Sequence, residues 1–301
     1  MPCHRPQRAW RSRVANETGK YPYVFKIDQG YADTETEFPC GSCPGCRIER
    51  SREHALRCIH EASQHDNNSF ITLTYEDDPC SLEKSHFQKF MKRLRKSLAP
   101  KKIRYYMCGE YGKDGDLLGR AHFHAIIFNH QFDDLEPYKM NHSGDTVYIS
   151  PKLEKLWTHG YVSVGECNLS TAGYVARYCM KKINGEQAES HYQKPDLQTG
   201  ELKPVIPEYN AMSNGIGKKW LEKYWKDCIK GYITLDGTRY KIPKYYINQI
   251  ERLAPNDEHE ILIRNMELAS KPLEHPDNTI ARRSVREQNT ISRINRLKRN
   301  L

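Results

Sequence analysis

Hydrophobic positions along the chain fall into two kinds of run. Ser69–Tyr75 (SFITLTY) is β-branched and aromatic and predicts a strand. Ile103–Gly112 (IRYYMCGEYG) and Ala121–Phe128 (AHFHAIIF) predict two more. The turn-rich KDGDLLG between them predicts a hairpin with a long connection. Tyr161–Glu166 (YVSVGE) reads as a fourth strand. Between the first two strands, Phe87, Phe90, Met91, Leu94 and Leu98 recur at helical spacing. Ser85 with Gln88 reads there as a capping box, and Pro100 as the stop. Ser150 followed by Pro151 predicts a short helix, ended by Gly160. Ser170 or Thr171 caps a further helix, AGYVARYCMKKI, ending near Gly185.

The resulting order, β-α-β-β-α-β-α, predicts an α+β core: a mainly antiparallel central sheet flanked by helices. On either side the patterns weaken. The first 40 residues read as turn-rich and irregular. They lead through PCGSCPGC (Pro39–Cys46) into an arginine-studded helix, Arg47–Ser63. After Gly185, QKPDLQTGELKPVIPEYN reads as a polar linker and GKKWLEKYWKDCI as a short helix. YITLDGTRYKI predicts a hairpin on an Asp-Gly turn, and the remainder reads as helical and then basic.

Charge adds a partner class. Lys and Arg outnumber Asp and Glu by 47 to 38, a net +9, which favours nucleic acid or another acidic surface. From Arg282 to Leu301 seven Lys/Arg stand against one Glu, so six of the nine excess charges lie in the tail. No apolar run is long enough to cross a membrane, and MPCHRPQRAW lacks the apolar stretch of a signal peptide. In a reducing cytoplasm the ten cysteines read as metal ligands plus buried thiols, not a disulfide framework.

Cys40, Cys43 and Cys46 form Cys-x2-Cys-x2-Cys with Gly41 and Gly45 between, a loop able to wrap a structural zinc ion. Cys3 is chosen as fourth ligand over His4 and His54. An iron–sulfur cluster and simple free thiols are the competing readings. Cys58, Cys80, Cys108, Cys167, Cys179 and Cys228 read as scattered buried thiols.

His122 and His124 interrupt an apolar strand. Residues i and i+2 of a strand face the same side, so the two imidazoles project together. If the hairpin pairs Gly109–Tyr111 with Ala121–Phe123, Glu110 lies beside His122. Two histidines and a carboxylate could hold a divalent ion with positions left open for a substrate oxygen. The competing reading is two ordinary polar-face histidines. Tyr174 and Tyr178 are one helical turn apart, with Lys181 on the same face and Lys182 at its margin. A tyrosine hydroxyl can act as a nucleophile, and a nearby ammonium favours its phenolate. Here the competing reading is an amphipathic stripe of core aromatics.

FITLTY, HFHAIIF and YVARYCMKK, in that order, resemble the HUH endonucleases, which nick single-stranded DNA. PCGSCPGCRIERSREHALRCIHE, MSNGIGKKWLEKY and YITLDGTRYKIPKYY resemble their microvirus replication initiators, the gokushovirus branch in particular. The resemblance implies a rolling-circle initiator acting in the host bacterial cytoplasm on single-stranded phage origin DNA, with host helicase and polymerase as partners. It implies Mg²⁺ or Mn²⁺ on His122, His124 and Glu110, and two nucleophiles, Tyr174 and Tyr178. The related pattern carries a lysine immediately before the second tyrosine; here Arg177 stands there, and proton handling is assigned to Lys181. The implied organisation is a Cys-rich segment and Arg-rich helix (1–66), an HUH nuclease core (67–185), a linker, helix and hairpin (186–246) and a helical basic tail (247–301). An HUH transposase or relaxase, and a non-enzymatic zinc protein that binds single-stranded DNA, are the rival functions.

Candidate phosphate contacts are Arg47, Arg50, Arg52 and Arg57 on one helix and Lys89, Lys92, Arg93, Arg95 and Lys96 on the next, with Arg177 and Lys182 near the tyrosines. Tyr105, Tyr106, Tyr111 and Phe123 are candidates for stacking on unpaired bases.

Overall fold

The structure, a computed structural model, describes residues 3–114, 117–141, 144–177, 187–196, 199–254, 256–268 and 275–296. The chain divides into two compact units. One takes in residues up to Arg50 and again from Ile263, and the other is Ser51–Leu262.

The first unit opens with β1 (Gln7–Arg11), which pairs antiparallel with β2 (Tyr23–Val24) and β3 (Thr36–Phe38). Irregular chain was expected here. Only Ala9 and Trp10 of β1 are buried, too short a pattern to register as alternation. α1 (Pro44–Ala62) starts at Pro44 rather than Arg47, with proline at a first helical position, where its missing N–H costs nothing.

The second unit is built on β4 (Asn68–Thr74), α2 (Lys84–Ser97), β5 (Arg104–Asp114), β6 (Leu117–Phe128), β7 (Glu136–Met140), β8 (Thr146–Ile149), α3 (Pro151–Leu156), β9 (Val162–Gly165) and α4 (Leu169–Arg177). α5 (Gln187–His191), β10 (Gln193–Pro195), β11 (Leu202–Pro204) and β12 (Tyr209–Met212) follow. Then come α6 (Lys218–Tyr224), the hairpin β13 (Ile233–Leu235) and β14 (Thr238–Tyr240) and α7 (Lys244–Leu253); α8 (Asn256–Leu268) begins in this unit and passes into the first at Ile263. α9 (Ile280–Arg296) belongs to the first unit, where Arg283 grips Glu37 with two bonds of 2.8 and 2.7 Å.

Seven strands form the central sheet in the order β12-β5-β6-β4-β9-β8-β7, every neighbouring pair antiparallel. Strand alternation gives the sheet two apolar faces. Ile71, Leu73, Met107, Phe123, Ala125 and Ile127 meet Phe87, Phe90, Met91 and Leu94 of α2 and Leu153 of α3. Phe70, Tyr106, Cys108, Ile126 and Phe128 meet Ala55 and Cys58 of α1 and Ala172, Val175 and Ala176 of α4. The expected α+β core is therefore a three-layer arrangement, helix on sheet on helix. Among the described residues no helix is long and apolar enough to cross a membrane.

Several local expectations are corrected. The β5–β6 ladder does not open into a long connection: Lys113 pairs with Leu118 and Asp114 with Leu117. The linker contributes β12, an edge strand of the main sheet, while β7 and β8 make a hairpin that no periodicity announced. α2 has Glu83 at its N-cap and no side-chain cap bond, so Ser85 and Gln88 form no capping box. α4 is capped by Asn168: its Oδ1 accepts from Thr171 N at 3.0 Å, and Thr171 Oγ1 accepts from Asn168 N at 2.9 Å. Ser150 does cap α3, its hydroxyl accepting from Leu153 N at 3.1 Å. The Asp236-Gly237 turn has both φ angles positive, 47° and 72°, as a two-residue hairpin turn requires.

Candidate metal centre and tyrosine helix

The β5–β6 register is the one expected: Gly109 faces Phe123, Glu110 faces His122 and Tyr111 faces Ala121. Phe123 and Ala125 turn into the α2 side of the core. His122 and His124 take the opposite face, in phase with Ile126 and Phe128. Both imidazoles converge on one carboxylate oxygen. Glu110 Oε1 lies 2.8 Å from His122 Nε2 and 3.0 Å from His124 Nε2. The three ligand atoms all lie within 4.8 Å of one another, with Glu110 and His124 buried.

The outer nitrogens fix the rings. His122 Nδ1 is 3.0 Å from the carbonyl of Arg120, which can only accept, so Nδ1 carries the proton. In the neutral ring the lone pair of His122 Nε2 then faces the lone pairs of Glu110 Oε1. Only a proton or a cation between them makes that approach favourable. His124 Nδ1 is held by Thr72 Oγ1 at 2.9 Å, and its ring stacks on Phe70. Burial alone would raise the Glu110 carboxyl; hydrogen bonds from His122 and His124 outweigh it and hold the group at about 2. An anionic oxygen between two aligned Nε2 atoms fits a divalent ion. Thr72 had no sequence signal of its own, since it meets His124 only across the β4–β6 ladder.

The helix that carries the first tyrosine lies on this same face. α4 packs Ala172, Val175 and Ala176 against Tyr106, Cys108, Ile126 and Phe128. Tyr174 and Arg177 lie on its backbone. Tyr178, Cys179, Lys181 and Lys182 lie outside the described residues. Burial, with a smaller contribution from Glu166, pushes the Cys167 thiol just before the helix up to about 12.

The cysteine expectation also meets geometry. Cys3, Cys40, Cys43 and Cys46 form a second potential metal group. His4 and His54 are not part of it; His54 stacks on Tyr106 instead. The proposed base-stacking residues fare differently. Tyr106, Tyr111 and Phe123 are buried core residues, and Tyr105 packs partly buried against Phe87. Helices cover both faces of their strands, leaving no room for a base. Two candidate phosphate contacts serve structure: Arg57 donates to the carbonyl of Ile216, and Arg93 to that of Leu156.

The replication-associated protein ORF2/G2P family matches residues 68–183, a span that holds the Glu110–His122–His124 centre and α4. The replication-associated protein VP4 of Bdellovibrio phage phiMH2K is 33% identical over 286 residues, covering 89% of this chain and 84% of that protein. The replication-associated protein ORF2 of Spiroplasma virus 4 is 32% identical over 275 residues, 84% of this chain and 81% of that protein. The ORF4 counterpart of Chlamydia phage 1 is 32% identical over 250 residues, 79% of this chain and 60% of that protein. No solved structure matches the chain. The chain belongs to the family of replication-associated proteins of microvirus-like phages.

Proposed function

We propose that this protein initiates rolling-circle replication by nicking and rejoining single-stranded phage origin DNA. The observation that carries the reading is the placement of Glu110, His122 and His124 on the sheet face covered by α4. Those three residues would hold Mg²⁺ or Mn²⁺, oxygen-seeking ions that neutralise and polarise a phosphodiester. The chain's own groups do the rest. The hydroxyl of Tyr174 or Tyr178 attacks phosphorus in line; the tyrosine O–P bond forms as the P–O3′ bond breaks. The phenolic proton leaves to solvent by way of Lys181, and the departing 3′ oxygen takes up a proton. The products are a 5′-phosphotyrosine and a free 3′-OH primer. Lys181 favours the phenolate, and Arg177 and Lys182 hold flanking phosphates. The number of covalent bonds is conserved, so the reaction reverses. A second tyrosine can therefore cut again and the strands be joined.

In this reading residues 67–185 carry the nuclease, residues 186–246 pack on it, and the segments 1–66 and 247–301 add DNA contacts, among them Arg47 and Arg50. Host helicase and polymerase would act on the nicked product in the bacterial cytoplasm. The experiment is capture of the covalent adduct. The protein is mixed with labelled single-stranded origin DNA and Mn²⁺ and run on a denaturing gel, beside Tyr174→Phe, Tyr178→Phe, the double variant and His122→Ala. An adduct that survives one tyrosine change but not both, and needs His122, supports the two-tyrosine nickase. DNA binding without adduct, across several origin sequences and both ions, would favour a non-enzymatic DNA-binding role.

A further inference from the structure

We propose that Cys3, Cys40, Cys43 and Cys46 bind one structural zinc ion that holds the N-terminal unit together. The four sulfurs come from two chain segments, Cys3 and the stretch 40–46, and converge within 4.8 Å of one another. Cys3 Sγ lies 3.5 Å from Cys40 Sγ and 3.8 Å from Cys43 Sγ. Four thiolates at about 2.3 Å from a tetrahedral ion sit about 3.8 Å apart, which matches. A disulfide needs about 2.05 Å, and all four thiols are free. A multi-iron cluster would spread its sulfur ligands further than a single ion does.

The surrounding backbone is arranged for thiolates. His4 N donates to Cys43 Sγ at 3.4 Å, Cys40 N to Cys3 Sγ at 3.3 Å and Cys43 N to Cys40 Sγ at 3.3 Å. Such bonds spread the excess negative charge of a tetrathiolate site. The loop can make them because Gly41 takes a left-handed φ of 75°. Cys43 immediately precedes Pro44, and Cys46 lies in the first turn of α1, so the helix start fixes two ligands.

The unit needs such a fastening. Among its described residues, 3–50, 263–268 and 275–296, the buried apolar side chains are Ala9, Trp10 and Cys43. One of those three is itself a ligand. A small unit without an apolar core is commonly fastened by a metal or disulfides, and the cysteines here are unpaired.

The test is metal content of the full-length protein after gel filtration into metal-free buffer, which leaves weakly held hard ions behind. One zinc per chain is expected, released by a thiol-blocking reagent. Cys3→Ser and Cys43→Ser should lose it, while Cys80→Ser keeps it. Because the ligand variants could misfold, the wild-type chain refolded with cobalt provides a second readout. Intense tetrahedral cobalt–thiolate absorption supports the site. Four free thiols without zinc, bound iron, or an octahedral cobalt spectrum would overturn it. None of these readouts depends on nicking activity, so the zinc site and the nickase reading fail separately.

Discussion

Replacing Glu110 by Gln keeps the side chain's shape and removes its charge. In the native centre both histidine Nε2 atoms address the same oxygen, at 2.8 and 3.0 Å. Burial opposes the charge and the imidazole bonds favour it, and the carboxyl settles at about 2 from an ordinary 4.5. The two imidazoles therefore favour a negative oxygen at this point. A Gln amide forfeits that preference and withdraws the one anionic ligand. Divalent-ion affinity is expected to fall at least about 100-fold, or about 2.7 kcal/mol. The assay is thermal unfolding with and without Mn²⁺, paired with calorimetric titration. At about 100 times its dissociation constant the ion stabilises the wild type by about 2.7 kcal/mol, a rise of about 5–10 °C for a unit of this size. The same concentration leaves Glu110→Gln with about 0.4 kcal/mol or less. A variant that keeps the full Mn²⁺-dependent rise would refute the assignment and leave Glu110 a buried partner of two histidines.

Three further outcomes follow from other parts of the fold. Thr72→Val removes the hydroxyl that holds His124 Nδ1 and should lower Mn²⁺ affinity about 10–100-fold with the melting point of the ion-free protein little changed; unchanged calorimetric affinity would show that the ring needs no such support. Gly160→Ala would put a Cβ 2.2 Å from the Glu76 amide nitrogen at a φ of 142°, costing about 3 kcal/mol, and equal urea midpoints for the two proteins would contradict this. His60 is stacked on Trp220 and bonded to Tyr246, and burial lowers it to about 3. Its folded pKa lies below the unfolded 6.5, so its contribution is present above pH 6.5 and lost as pH falls toward 3. Between pH 7 and 5 it should account for about 2 kcal/mol of lost stability that a His60→Asn variant does not lose, measured by urea unfolding at both pH values.

The parts of the fold visible in the sequence are those where one residue face meets the core and the other does not. α2 shows the helical period because Phe87, Phe90, Met91 and Leu94 are buried and the intervening lysines and arginines are not. β4 and β6 are apolar over long runs because helices cover both faces of the sheet. β12 gave no such signal: all four of its residues are half-buried, and what makes it a strand is the free edge of β5, about a hundred residues earlier. β7 is exposed at every position, so it has no period to read. The turn-rich KDGDLLG suggested a long connection between β5 and β6. The ladder nevertheless runs on to Asp114 and Leu117, since backbone pairing does not depend on side-chain pattern. Asn168, Ser170 and Thr171 are all capping types within four residues, and only the reciprocal bonds single out Asn168.

The metal centre divides along the same line. Glu110, His122 and His124 were legible because a hairpin register and a two-residue period place all three with no knowledge of the rest of the sheet. Thr72 was not, because its place beside His124 depends on which strand lies on the far side of β6. The aromatic residues on β5 and β6 were misread for a related reason. A strand covered on both faces buries its tyrosines whatever their polar tips suggest, and Tyr111 turns its hydroxyl inward to Leu82 N and the carbonyl of Ile206. The same covering limits how DNA could approach in the proposed reaction. His122 has 17% of its side chain exposed, against 8% for His124 and 2% for Glu110. In that reaction a phosphate would come in along His122, where β4 ends opposite β6 and exposed Arg120 stands nearby, not through the middle of the sheet. Nearby Arg120 already donates to the carbonyl of Tyr75, which holds its guanidinium beside that entrance. Bases that follow such a phosphate would lie beyond the sheet, so their stacking partners belong among exposed aromatic residues and not on β5 or β6.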